Sequence, residues 1–297
     1  MPSGSTGKKS GAKSAKAIKA ANSKGTKRKG GVPGSSKRRS IPWFTVGAAV
    51  VVLALIGVLA YNLVPKYQVQ AEAAQFAPSE SDQDPSTKID GVTATVYPAG
   101  IHVSADQRVA YDQSPPYGGP HDQVWANCLG TVYPNAIRTE NAVHSLEHGA
   151  VWITYNPDDL SADQVSALAD KVDGQQYTMM SPYPGLDHAV SLQSWGHQLK
   201  LDSPDDQRID NFIAALRLNR YQYPEVGASC STTPATFDTD NPPAFDASPV
   251  GADAVPMDGG GITPDGNETI TDVTGGLPSD LQLPSGVQEP AAGVPTP

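Results

Sequence analysis

The rhythm of hydrophobic and polar positions changes several times along this chain. Residues 1–40 carry no apolar period; Lys, Gly, Ser and Ala follow one another without a face that could be buried, which predicts disorder. From Ile41 to Val64 the run IPWFTVGAAVVVLALIGVLAYNLV is free of charged residues. As a helix it would extend about 36 Å, enough to cross a hydrocarbon core of about 30 Å. Trp43 and Tyr61, near its two ends, suit the aromatic belts of a bilayer. The run exceeds the roughly 7–15 apolar residues of a signal peptide, so a retained transmembrane helix over 41–64 is expected rather than a cleaved leader. Residues 65–92 are polar and acidic and read as a stalk.

Shorter periods follow. GIHV and RVAY read as short strands, SPPYGGPH as a turn, and AVWITY as a buried strand. SADQVSALADKV predicts a helix with Ser161 and Gln164 as a capping box and Val165, Leu168 and Val172 on one face. YTMMS, AVSLQSW and HQLKL read as three strands separated by turns. The next segment, SPDDQRIDNFIAALRLN, predicts a helix capped by Ser203, with Pro204 at its first position and Ile209, Phe212, Ile213 and Leu216 inward. The expected fold class is α+β: a single extracytoplasmic domain over 93–230, with helices packed on one mostly antiparallel or mixed sheet and one transmembrane helix before it. Residues 231–297 hold ten acids, no Lys or Arg, and frequent Pro and Gly, the composition of a disordered acidic tail.

Charge fixes the expected orientation. Residues 1–40 hold twelve Lys/Arg and no acid; after residue 65 there are nine bases against 31 acids, a balance of −22. With KRRS abutting the apolar run, the positive-inside tendency keeps the N-terminus cytoplasmic and puts the domain outside a cell membrane. The lipid bilayer is then the first partner, and the basic tail serves topology and attraction to anionic headgroups. The domain, with 16 acids against seven bases over 91–230, predicts no nucleic-acid partner.

Two cysteines, Cys128 and Cys230, lie on the exported side, where an even count favours a disulfide over a thiolate metal ligand. The chemistry concentrates in NAVHSLEHG. On a helix capped by Asn141 and ended by Gly149, His144 and His148 share a face at i and i+4, the spacing of paired ligands for zinc or copper. His121, held in a Gly/Pro-shaped loop, is the first candidate for a further ligand, and His102 the second. Glu147 would orient a ligand from behind. Met179 and Met180 would matter only to Cu(I); as neighbours on a strand they face opposite sides. Trp152 and Trp195 read as core, and His188 and His197 as solvent-facing. HSLEH also spells H-x-x-E-H, in which Glu147 would activate water on zinc. That chemistry asks for a longer helix and an acidic third ligand, whereas Gly149 stops the helix and Glu225 follows Pro224 outside any helical pattern. The bland alternative is a set of histidines that satisfy buried hydrogen bonds and bind nothing.

PPYGGPH, VHSLEHGAVWITY, SPYPGL, SWGHQL and YPEVGASC, in that order over about residues 98–231, resemble the bacterial family called domain of unknown function 3105. Tyr117-Gly118 departs from the Thr-Ser more usual there, which weakens any claim for a hydroxyl at that turn. The resemblance implies a single-pass, outward-facing domain and no assigned activity. Three functions are therefore expected in order: a non-catalytic domain binding a transition metal through the histidines, a metal-free structural or accessory subunit of an envelope complex with a protein partner, and a zinc hydrolase.

Overall fold

The computed structural model describes residues 42–265; the basic N-terminal tail and residues 266–297 lie outside the described residues. The chain divides into two compact units after Leu55, inside its first helix. That helix, α1 (Trp43–Ala73), is long and apolar enough to cross a membrane. It does not end at Val64. Pro65 removes one rung of the hydrogen-bond ladder, but the following Lys, Gln, Ala and Glu are good helix formers and carry it on.

The domain is built on a six-stranded sheet in the order β1-β9-β8-β6-β7-β5. Its strands are β1 (Thr93–Ala94), β5 (Leu129–Val132), β6 (Val151–Tyr155), β7 (Thr178–Pro182), β8 (Val190–Ser194) and β9 (His197–Leu201). Strands β5, β7 and β6 run parallel, while β6, β8, β9 and β1 pair antiparallel, so the sheet is mixed as expected. The parallel pairs need crossovers, supplied by α2 (Thr139–Glu147) between β5 and β6 and α3 (Ala162–Ala169) between β6 and β7. The hairpin β8–β9 turns on Trp195-Gly196. Gly196 has φ +71°, and a Cβ there would stand 2.5 Å from the Thr95 carbonyl oxygen.

Both faces of the sheet are covered, which is why its central strands read as near-continuous apolar runs. On one face Trp152 and Met179 pack with Ala142, Val143 and Leu146 of α2. On the other Val151, Ile153, Met180 and Leu192 meet Leu168 of α3 and the apolar face of α4 (Arg208–Leu216). Met179 and Met180 thus point to opposite sides, both into core. The capping box of α3 is present, Ser161 accepting from the Gln164 amide. Two expected caps are not. Helix α4 begins at Arg208 because SPDDQ closes a turn first: Ser203 Oγ accepts from the Asp205 amide, and Asp206 from the Arg208 amide. Helix α2 begins at Thr139, and Asn141 lies within it, its side chain donating to the Val124 carbonyl.

The acidic segments on either side also join the domain. Phe76, Ile89 and Val92 pack beside α4, and the Asn219 side chain donates to the Gln83 carbonyl. This cover buries His197, expected in solvent, at 5 % exposure with Asp84 3.2 Å from its Nε2. Composition placed the free acidic tail from Ser231, yet the chain from there to Asp265 lies against the domain. Its spaced apolar residues are the reason: Phe237 and Phe245 enter the α2-side core, and Val255 and Met257 a small cluster with Val103 and Val109. Strand β10 (Val255–Pro256) pairs with β3 (Val109–Ala110).

Candidate functional site

Four pieces of chain bring the site together. Strand β2 (His102–Val103) pairs parallel with β4 (His121–Asp122), putting His102 opposite His121. Their rings meet edge to face at 4.9 Å. Helix α2 lies against β4 and contributes His144 and Glu147, with His148 at its C-cap. Gly149, at φ +88°, turns the chain into β6 as expected, and the rings of His144 and His148 stand 4.7 Å apart. The fourth piece, the loop after α4, adds Glu225. Its amide donates to the Glu147 carbonyl, and the loop is tied down five residues later by Cys230, which stands at disulfide distance from Cys128.

The ring nitrogens are sorted by backbone carbonyls. Nδ1 of His121 faces the Gly119 carbonyl at 2.8 Å, Nδ1 of His144 the Asp122 carbonyl at 2.6 Å, and Nδ1 of His148 the Ser229 carbonyl at 2.8 Å. A carbonyl only accepts, so each Nδ1 carries a hydrogen. Each Nε2 is thereby turned inward. His121 Nε2 lies 2.7 Å from Glu147 Oε2, both side chains fully buried. The two atoms are close but out of line, and neither has a hydrogen-bond partner. Glu147 Oε1 accepts from the Gly100 amide. His148 Nε2 lies 2.7 Å from Glu225 Oε2, and His144 Nε2 3.9 Å from the same oxygen.

Electrostatics separates the groups. Burial works against a charged His121, but the Glu147 carboxylate outweighs it and holds the ring above the usual imidazole range. Burial would likewise raise Glu147, and the His121 charge leads the forces that bring it below the usual carboxylate range. Burial, then His121 and His148, push His144 well below the ordinary imidazole value, so it is a neutral donor. Burial and His121 also lower His102.

The predicted candidates thus come together, but not at one point. Donor atoms of His102, His121, His144 and Glu147 lie within 4.8 Å of one another, as do those of His144, His148 and Glu225. His121 and His148 fall in different groups, and only His144 belongs to both. These His/Glu groups could hold a metal ion. Glu147 stands among the donors, beyond the orienting role expected for it. Of the soft ligands considered, Met179 and Met180 are core and the two cysteine sulfurs are paired with each other. That argues against Cu(I) and for a borderline divalent ion.

Sequence reading set Glu225 aside because it follows Pro224 outside a helical pattern, and it missed Trp125. The expected Cys128–Cys230 link was the available signal for Glu225, since it draws residues just before Cys230 toward the histidine segment. Trp125 covers the group, its ring 4.7 Å from His148 and 5.5 Å from His144, with Nε1 donating to the Ser231 carbonyl.

Residues 102–232 match the model of the family described as protein of unknown function (DUF3105). The matched segment holds all six histidines, both cysteines and Glu225. No curated protein and no solved structure matches the chain.

Proposed function

We propose that this chain, whose residues 102–232 match the DUF3105 model, is a single-pass membrane protein whose exported domain binds a divalent transition metal, zinc or copper(II), without catalysing a reaction. One observation carries the reading. His121, His144 and His148 each donate Nδ1 to a backbone carbonyl and present Nε2 to a neighbouring carboxylate, the second-sphere arrangement that fixes the tautomer of metal-ligating histidines. Hydrogen-bond satisfaction alone does not account for His121 and Glu147, whose buried facing atoms are out of line. His102, His121, His144, His148, Glu147 and Glu225 are the proposed ligands. The apolar helix, the KRRS cluster before it and the cysteine pair after it support an N-terminus in the cytoplasm and a domain outside, in contact with the bilayer. The role is metal handling at the envelope or in a membrane complex with a protein partner; nucleic acid is not among its ligands.

Elemental analysis of the untagged full-length protein in detergent tests this. Zinc or copper bound to the parent and absent from a His121→Ala/His144→Ala/His148→Ala variant is the expected result. No metal in either, with the variant only less stable, returns the histidines to a folding role.

A zinc hydrolase is the second reading, and Glu225 is what favours it. It supplies the acidic third ligand that the H-x-x-E-H pattern requires. Glu147, the water-activating residue in that scheme, is fully buried and accepts from the Gly100 amide, which keeps this reading second. It requires that Glu147→Gln abolish hydrolysis across a peptide and ester panel while zinc stays bound at Glu225.

A further inference from the structure

The donor inventory exceeds what one ion can use. We propose that the cluster is a two-ion centre, with an inner ion on His102, His121 and Glu147 and an outer ion on His144, His148 and Glu225. This rests on the metal-binding reading above and deepens it. The two donor groups overlap only at His144. Its Nδ1 is committed to the Asp122 carbonyl at 2.6 Å, so a single nitrogen, Nε2, is left for coordination and serves one ion. Nε2 stands 3.9 Å from Glu225 Oε2, the oxygen that also faces His148, which assigns it to the outer group.

With His144 given to the outer ion, the inner group still keeps two imidazoles and a carboxylate. The division is even: two histidines and one glutamate each. Three protein ligands leave a fourth position of a tetrahedral ion for water or another small donor. A single ion would use only one of the two His–Glu contacts. If it sat in the outer group, the fully buried Nε2 of His121 and Oε2 of Glu147 would keep no aligned hydrogen-bond partner. If it sat in the inner group, His148 Nε2, oriented by the Ser229 carbonyl, and the Glu225 carboxylate 2.7 Å from it would stay a contact without an ion. Two carboxylates under two divalent ions leave positive charge, and Asp265, whose carboxylate acts on His102, supplies a further anion nearby.

The groups differ in access. Glu147 and His121 are closed off completely, whereas the Glu225 side chain keeps 10 % exposure. The outer ion therefore exchanges faster than the inner one.

Stoichiometry decides the matter. The full-length protein in detergent is stripped with a chelator, titrated with zinc chloride, desalted and assayed for metal; a parallel titration uses cobalt(II), read by its visible absorption. Two zinc per chain in the parent, one in Glu147→Gln, one in Glu225→Gln and none in the double variant are expected. The cobalt band should keep rising to the second equivalent in the parent. One ion per chain in the parent, or loss of all metal in a folded single variant, overturns the two-ion centre while leaving metal binding intact. An ion that survives the double variant is adventitious and is subtracted; a parent left with one after that subtraction also counts against it. No metal in the parent overturns the metal-binding reading itself. The cobalt titration of the parent stands even where a variant fails to fold.

Discussion

At the scale of single residues, conformation and neighbours decide what each position tolerates. Gly149 ends α2 in a left-handed turn, and a Cβ there would stand 2.7 Å from the Tyr223 ring. Gly149→Ala should destabilise the domain by about 1–3 kcal/mol, read from urea unfolding midpoints. Asp84 offers a titration test. Burial would raise its carboxyl, but hydrogen bonds from His197 and Ser86 outweigh that and hold it below the usual range. A carboxyl depressed on folding adds stability in full above its unfolded value, and that contribution fades as pH falls through the folded one. The parent should therefore lose stability faster than Asp84→Asn as the solution is acidified below the ordinary carboxylate pKa; parallel acid unfolding curves would count against the contact. The histidines were legible one by one, because a helical i, i+4 pair and a Gly/Pro-bound loop are local patterns. Glu225 and Asp84 were not, since each is defined by a partner about 80 to 110 positions away and by no period of its own.

At the scale of elements, the site depends on how β4 is fixed to α2. Arg138, just before α2, reaches Asp122 of β4, Glu140 of α2 and the Gln107 carbonyl. Asp122 in turn offers its carbonyl to His144. Arg138→Ala would leave two buried carboxylates without their cation and should cost about 3–5 kcal/mol, seen in chemical denaturation. It should also weaken zinc binding, though Arg138 touches no ligand side chain. The long strands and α3 were legible because burial on both sides or on one stripe writes a period into the residues. Strands β1, β2, β3, β4 and β10 have two residues each, too few to carry a period, and exist only through long-range pairing. The start of α4 was misplaced for a related reason: Ser-Pro-Asp-Asp satisfies its own backbone as a turn, an outcome that cap chemistry also permits.

At the scale of the whole molecule, two devices close the structure. The Cys128–Cys230 link spans 102 residues and ends one residue after Ser229, whose carbonyl holds His148. A Cys128→Ser/Cys230→Ser variant should lose up to about 4–5 kcal/mol by loop entropy. It should also release zinc to a chelator faster, because Glu225 loses its anchor. The second device is the chain from Ser231 to Asp265. Its amides pair with the domain at Ala136, Arg108 and Gly100, and Phe237 is buried among the aromatic residues below α2. Phe237→Ala should cost about 3–5 kcal/mol in thermal or urea unfolding. The overall class and the apolar helix were legible from composition, while the reach of this returning chain was hidden by its acidity. The family match stops at residue 232, and Ile89, β1, Phe237 and β10 all lie beyond its borders. The shared segment is thus smaller than the unit that folds. A gene fragment trimmed to the match should yield insoluble material where the longer one yields protein.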